Sequence, residues 1–84
     1  MQMFFTDIRN KEVINVSTGL RLGYVNDIEV DVNNGNVLSI IVPGQGRYLG
    51  LFGRDEDCVI PWENVSRIGE DIILVDILPK RRRH

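Results

Sequence analysis

The chain has 84 residues, of which 43% are hydrophobic and 26% charged, a balance typical of one small globular domain. A chain of this length buries only about 60–65% of its unfolded surface, which excludes two separate cores. No apolar run reaches the roughly 18 residues of a membrane span, and the start, MQMFFTDIRN, lacks the basic region of a signal peptide. One cysteine, Cys58, cannot form an internal disulfide. We therefore expect a cytoplasmic protein without membrane insertion.

The net charge of −2 hides an uneven distribution along the chain. Residues 1–79 contain six basic and twelve acidic groups. The basic tail, residues 79–84, contains Lys80, Arg81, Arg82 and Arg83. An acidic body is a poor general binder of nucleic acid, because a phosphate backbone requires neutralising charge on the binding face. The tail predicts contact with an anionic partner, such as RNA, a membrane surface or an acidic protein, or simply keeps the chain in solution.

The first part of the chain predicts a packed segment followed by a strand. Residues 1–10 are expected to pack on the domain, with Thr6 capping a short turn. Phe4 and Phe5 would then close one end of the core. KEVINV, residues 11–16, is rich in β-forming residues and predicts the first strand.

Two further strands joined by a tight turn are predicted next. In LRLGYVNDIEVDV, residues 20–32, apolar and acidic residues alternate at the end, as a strand with one wet face requires. NNGN then supplies the positive-φ residues of a hairpin turn. VLSIIV, Val37–Val42, is almost wholly apolar, which indicates a strand covered on both sides. A calcium loop starting at Asp31 is excluded, because its sixth and twelfth positions are asparagine and valine.

The last third of the chain predicts two strands around a turn. DCVI, residues 57–60, has strand character, and PWENVSRIG, residues 61–69, runs from a proline to a glycine. That pattern favours one short helical or 3-10 turn across an end of the sheet. EDIILVDIL, residues 70–78, is apolar on both faces, which indicates a strand that is central in its sheet or covered on both sides. Five or six short strands favour an all-β fold, a small antiparallel barrel formed by residues 11–78.

Two motifs in this order resemble the PRC-barrel domain family. The first consists of Gly19, Leu22, Gly23, Val25 and Asp27. The second is IPWENVSRIGEDIILVD, residues 60–76, and the resemblance spans about residues 11–77. The glycine-rich GQGRYLGLFGRDED is similar to the short, single-domain YlmC/YmxH-type sporulation proteins.

The resemblance implies a small PRC-type β-barrel that serves as a binding or assembly module. Relatives of the domain occur in a photosynthetic reaction-centre subunit and in a ribosome maturation factor. The matched motifs look structural rather than catalytic. Gly23 and Gly69 suit tight backbone, and Trp62 suits a core anchor.

The segment PGQGRYLGLFGRDED, residues 43–57, combines four glycines with aromatic and basic side chains. The predicted partner-binding residues are Arg47, Tyr48, Leu51, Phe52 and Arg54. Apolar groups rimmed by charge are typical of an interface core with a polar rim. The alternative is that Tyr48, Leu51 and Phe52 pack into their own core, because a small domain needs every apolar group. A phosphate-binding loop is excluded, because Leu49 stands where G-x-G-x-x-G requires glycine.

The residue pattern predicts no catalytic, metal or cofactor site. The one histidine, His84, ends the basic tail, so no Ser/His/Asp or Cys/His unit can be held in place. Cys58 is followed by Val59 and Ile60, which indicates a buried, inert thiol. The acidic run at residues 55–57 is typical of a solvated surface. We therefore expect a protein that is not an enzyme.

Three hypotheses for function follow from these observations. A sporulation-associated adaptor or assembly module would bind a protein partner through the glycine-rich loop. An RNA- or ribosome-associated module would use the small barrel and the basic tail, with Tyr48 stacking on a base. A structural homo-oligomer would bury the same surface against a second copy and need no separate ligand.

Overall fold

The computed structural model describes residues 4–44 and 57–78. The described residues contain one short α-helix, seven strands and one 3-10 helix: α1 Phe5–Arg9, β1 Glu12–Asn15, β2 Leu20–Tyr24, β3 Asp27–Val30, β4 Val37–Val42, β5 Cys58–Pro61, the 3-10 helix Trp62–Asn64, β6 Val65–Ile68 and β7 Ile72–Val75. The prediction of a mostly β fold with a 3-10 turn after β5 is confirmed. Seven strands replace the expected five or six.

The strands form two sheets, with orders β2-β1-β7-β6 and β3-β4-β5. Among the described residues no strand pairing joins the two sheets, so the predicted closed barrel is wrong in that respect. The predicted antiparallel arrangement also fails at one pair. β1 runs parallel to β7, with Glu12 opposite Ile72 and Asn15 opposite Val75. No hairpin constrains two strands so far apart in sequence, and the long intervening chain allows β7 to run in the same direction as β1.

The β3–β4 hairpin turns where the sequence predicts it. Gly35 has φ of 76° and its N–H donates to the Asp31 carbonyl at 2.7 Å. The Asn33 N–H donates to Asp31 Oδ1 at 2.9 Å, which closes an Asx turn. The single strand predicted for residues 20–32 is instead two strands, β2 and β3. Val32 follows β3 and is 92% exposed.

The segment after β5 contains a strand that the sequence pattern did not predict. The 3-10 helix occupies Trp62–Asn64, and β6 then pairs antiparallel with β7. Trp62 is 36% exposed, so the expectation of a core anchor is wrong. The 3-10 helix lies where the chain passes from the three-stranded to the four-stranded sheet. β7 lies between β1 and β6, which confirms its predicted central position.

One apolar cluster contains residues from both sheets. Its fully buried members include Val13, Ile73 and Val75 from one sheet and Ile40, Val42 and Ile60 from the other. Ile8 joins this cluster from α1, and Phe5 packs against it. Phe4 is the N-cap of α1 and is 64% exposed, so of the two phenylalanines only Phe5 closes the core as predicted. Thr6 lies inside the helix and does not cap it.

Candidate binding cleft

An open cleft of about 620 Å³ lies between α1, the end of β2 and the end of β4. Its lining residues are Thr6, Arg9, Asn10, Leu22, Gly23, Tyr24, Val25, Asn26, Val42 and Pro43. Pro43 and Gly44 lead directly into residues 45–56, which contain the predicted partner-binding positions. The cleft therefore includes the described residue Pro43, two positions before this segment in the sequence.

The floor of the cleft is apolar. Leu22, Val25 and Val42 are all buried. Leu22 and Val25 are three residues apart, so a regular strand would place them on opposite faces. Gly23, with φ of 110°, breaks the period so that both are buried. A Cβ atom at Gly23 would lie 3.7 Å from Val42 Cγ1, an ordinary contact, so the backbone angle rather than space requires glycine here.

Hydrogen bonds hold both walls of the cleft in place. The Lys11 N–H donates to the Ile8 carbonyl at 3.1 Å, which fixes the end of α1. The Lys11 ammonium group donates to the Gly69 carbonyl at 2.7 Å and also to the Glu70 carbonyl. The opposite wall is fixed by the Asn26 N–H, which donates to the Ile41 carbonyl at 2.7 Å. Lys11 is buried, so this clamp ties the junction of α1 and β1 to the turn before β7.

The rim of the cleft is polar and exposed. It presents one cation, one phenol, one hydroxyl and two amides: Arg9, Tyr24, Thr6, Asn10 and Asn26. The Arg9 guanidinium carbon lies 5.8 Å from the centre of the Phe5 ring, within range of a cation–π contact. The described lining contains no carboxylate and no thiol. This set can donate hydrogen bonds, pair with an anionic group and pack against an apolar side chain.

Outside the cleft, the candidate reactive group among the described residues is the thiol of Cys58. Burial raises the pKa of the Cys58 thiol to about 11, and the side chain is fully buried, as the sequence predicts. Residues 4–44 and 57–78 contain no group of three His, Cys, Asp or Glu side chains able to hold a metal ion. In the same ranges no helix has the length and hydrophobicity needed to cross a membrane.

The sequence-predicted site residues lie outside the described part of the chain. This holds for both sets: Arg47, Tyr48, Leu51, Phe52 and Arg54, and Lys80, Arg81, Arg82 and Arg83. Their roles stay predictions. The cleft residues were missed by the sequence patterns. The signal that could have found them is the break in alternation between Leu22 and Val25, which marks a bend at Gly23.

Comparison with known proteins identifies relatives over most of the chain. A family model for the PRC-barrel domain matches residues 1–82. The probable sporulation protein YlmC of Bacillus subtilis (strain 168) is 47% identical over 83% of this chain and 86% of its own length. An uncharacterized protein of Clostridium acetobutylicum is 38% identical over 82% of this chain and 78% of its own length. Uncharacterized protein YmxH of Bacillus subtilis (strain 168) is 26% identical over 89% of each chain. The predicted resemblance is confirmed, and the division into residues 1–10, 11–78 and 79–84 stays a prediction.

Proposed function

This chain belongs to the PRC-barrel domain family, and from that premise we propose that it is a non-enzymatic adaptor or assembly module that docks a protein partner at the cleft. A link to sporulation is supported by the 47% identity to a probable sporulation protein. A cytoplasmic location is part of the proposal. The adjoining segment 45–56 would complete the docking surface with Arg47, Tyr48, Leu51, Phe52 and Arg54.

The observation that carries this proposal is the pairing of a buried apolar floor with an exposed polar rim. Leu22, Val25 and Val42 form a fixed apolar base, while Arg9 and Tyr24 stand exposed beside it. Arginine and tyrosine are the residue types that dominate binding energy in protein interfaces. The cleft is open and has room for a loop or a side chain of a partner. Its described lining offers no nucleophile with a base beside it, so binding without chemistry fits it best.

Affinity capture from sporulating cells tests the proposal. The full chain would serve as bait beside Arg9→Glu with Tyr24→Ser, and the matched control is Arg67→Glu on β6, an exposed position away from the cleft. We expect one protein to be retained by the wild type and the control and lost by the cleft variant. Equal retention by all three proteins would refute docking at the cleft.

A second set of variants tests segment 45–56. We expect replacement of Tyr48, Leu51 and Phe52 by serine to leave the circular dichroism spectrum unchanged and to abolish capture of the same partner. Unfolding of this variant would favour the alternative that these side chains pack into their own core. Light scattering on the wild type and this variant decides the homo-oligomer hypothesis, which requires a dimer mass that falls in the variant.

The RNA-binding hypothesis is disfavoured by charge. The described residues contain ten acidic and four basic side chains, so the body opposes a phosphate backbone. A titration of single-stranded RNA at low salt tests it directly. The RNA-binding hypothesis would replace the protein-docking proposal if the wild type bound RNA with an affinity that falls steeply with salt and the cleft variant bound RNA equally well.

A further inference from the structure

β3 lies at an edge of the three-stranded sheet. Among the described strands it pairs with β4 alone, so one side of its backbone has no strand beside it. An unpaired edge is a template on which another chain can add a strand. We call β3, residues 27–30, the open edge.

The backbone groups that face outward at the open edge belong to Ile28 and Val30. In an antiparallel pair, the N–H and carbonyl groups of successive residues point to opposite sides of the strand. The Asp31 N–H donates to the Asn36 carbonyl at 2.8 Å, so the backbone groups of Asp31 point toward the β4 side. Those of Val30, and of Ile28 two residues earlier, therefore point away from it. The Ile28 N–H donates to Asp27 Oδ1 at 2.8 Å, which leaves Val30 to offer an incoming strand both a donor and an acceptor.

The side chains of the open edge alternate between acidic and apolar. Ile28 packs against the buried cluster, and Val30, on the same face, is 40% exposed. Asp27 and Glu29 lie on the opposite face, and both are exposed. An added strand has to match both faces at once. It needs an apolar residue opposite Val30 and a basic residue opposite Glu29, because opposite charges attract directly across a strand pair.

The formal charge around the open edge is negative throughout. Residues 27–44 and 57–64, which include the three-stranded sheet and the 3-10 helix, contain no basic residue. The acidic residues of these ranges are Asp27, Glu29, Asp31, Asp57 and Glu63. The basic side chains of the described ranges, Arg9, Lys11, Arg21 and Arg67, belong to α1, to the four-stranded sheet or to the junction between them. Charge complementarity therefore favours a basic partner and opposes nucleic acid.

A second copy of this chain fits the open edge poorly. If the outward residues of two β3 strands paired antiparallel, the carboxylates of Asp27 and Glu29 would lie on the same face as those of the other copy. Like charges directly across a strand pair destabilise it. Charged side chains on an edge strand guard against self-association in this way. The same carboxylates leave the edge open to a strand of opposite charge.

We propose that the open edge binds an extended basic segment of another protein by antiparallel strand addition. The segment alternates basic and apolar residues. Its apolar residue opposite Val30 exchanges two N–H···O bonds with the Val30 backbone, and the basic residue beside it lies across from Glu29. Leu38, 47% exposed, enlarges the apolar face, because the register shift between Glu29 and Val30 sets both Val37 and Leu38 opposite Val30.

Fluorescence anisotropy with labelled peptides and the full chain tests this inference. The probe is a peptide of about ten residues in which lysine alternates with valine. One control peptide has glutamate in place of lysine, and a second has all its lysines before all its valines. We expect the alternating lysine peptide to bind at least about tenfold tighter than the glutamate peptide and several-fold tighter than the block peptide. Equal binding of the alternating and block peptides, or no binding of the lysine peptide at low salt, would overturn the proposal.

The carboxylates are tested with isosteric substitutions. We expect Asp27→Asn combined with Glu29→Gln to weaken binding of the alternating lysine peptide by about threefold to tenfold, because two cross-strand charge pairs are lost. Both substitutions keep a hydrogen-bond acceptor at their position. The matched control is Glu70→Gln combined with Asp71→Asn, two exposed positions in the turn before β7 with the same change in net charge. Equal effects of the two double variants would overturn the assignment to the open edge.

N-methylated peptides test the backbone pairing without altering the protein. In the antiparallel arrangement the valine N–H groups of the alternating peptide face Val30 and the lysine N–H groups face away from β3. We expect N-methylation of the valines to weaken binding by more than about tenfold, and N-methylation of the lysines to change it by less than about twofold. Equal effects of the two methylations, or the reverse order, would overturn antiparallel strand addition.

This inference does not rest on docking at the cleft. Tyr24→Ser removes a side chain from the cleft rim and should bind the alternating lysine peptide as the wild type does. Loss of peptide binding in this variant would overturn the assignment to the open edge. Failure of affinity capture would leave the peptide results unaffected.

Discussion

The buried side chain of Asn15 fixes the backbone of Ile77, close to the last described residue, through two hydrogen bonds. We expect Asn15→Leu to lower the free energy of unfolding by about 2–4 kcal/mol, because it leaves the buried N–H and carbonyl of Ile77 without partners. Urea denaturation measures this change. The control is Asn64→Ala, which removes one exposed hydrogen bond to the Asp76 carbonyl and should cost less than about 1 kcal/mol. Equal losses in the two variants would show that Asn15 is not the anchor.

Cys58 predicts a dependence of stability on alkaline pH. Burial raises the pKa of its thiol from 9.0 to about 11 in the folded state. The unfolded chain therefore loses its proton first as pH rises. Stability should fall between about pH 9 and pH 11, by an amount of order 2 kcal/mol. Denaturation of the wild type and of Cys58→Ala across this range isolates the effect, since other titrating groups are common to both. If the free energies of unfolding of the two proteins changed in parallel with pH, this prediction would be contradicted.

Substitution of Gly23 tests whether the cleft floor requires a backbone angle that only glycine adopts easily. Its φ of 110° lies beyond the left-handed region that asparagine tolerates, whereas Gly35, at 76°, lies close to it. We expect Gly23→Asn to cost about 1–3 kcal/mol and Gly35→Asn to cost well under 1 kcal/mol. Thermal unfolding of both variants measures this. A neutral Gly23→Asn would mean that the bend at β2 is not required.

Residue type alone predicted some burial correctly and some wrongly. Cys58 between an acidic run and apolar residues was correctly expected to be buried. Trp62 was expected in the core as part of the matched family motif, yet its place on the 3-10 helix leaves it partly exposed. Lys11 and Asn15 are buried because they satisfy backbone groups about sixty residues away. A linear pattern contains no information on such distant partners, so these two could not be found.

At the scale of elements, Lys11 connects α1 and β1 to the turn before β7. We expect Lys11→Met to lower stability by about 1.5–3 kcal/mol, because the carbonyls of Gly69 and Glu70 lose charge-assisted hydrogen bonds. Hydrogen exchange should accelerate at residues 69–72 before it does in β3 and β4. Arg21→Met is the control, since its 3.9 Å ion pair with Glu12 is exposed and contributes little. Uniform acceleration across both sheets would contradict a local clamp.

Local elements were predicted better than distant pairings. The β3–β4 hairpin follows from its turn residues, because NNGN fixes both the reversal and the neighbouring strand. β6 was missed because Pro61 and Gly69 flank it as they would flank a helical turn. The parallel pairing of β1 and β7 was also missed, since strand direction there is set by packing of the whole chain. The walls of the cleft depend on the same packing. The sequence therefore pointed to residues 43–57 as a binding segment but not to the residues that line the cleft.

At the scale of the whole molecule, the two sheets share one apolar cluster although no described strand pairing connects them. Ile40 belongs to the three-stranded sheet and Ile73 to the four-stranded sheet, and both are buried in that cluster. If the cluster is the common core, neither sheet can unfold without exposing the other. A domain of this length is also too small to keep two independent cores.

We therefore expect Ile40→Val and Ile73→Val to destabilise the same cooperative transition. Each deletes one buried methylene group and should cost about 0.5–1.5 kcal/mol, which lowers the melting temperature by several degrees for a domain of this size. Circular dichroism and calorimetry should report one shared midpoint in each variant, with equal van't Hoff and calorimetric enthalpies. The exposed Val32→Ala is the control and should leave the midpoint within about a degree. Two separate transitions, each sensitive to one of the core variants, would show that the sheets are independent units and that the cleft lies between parts free to move.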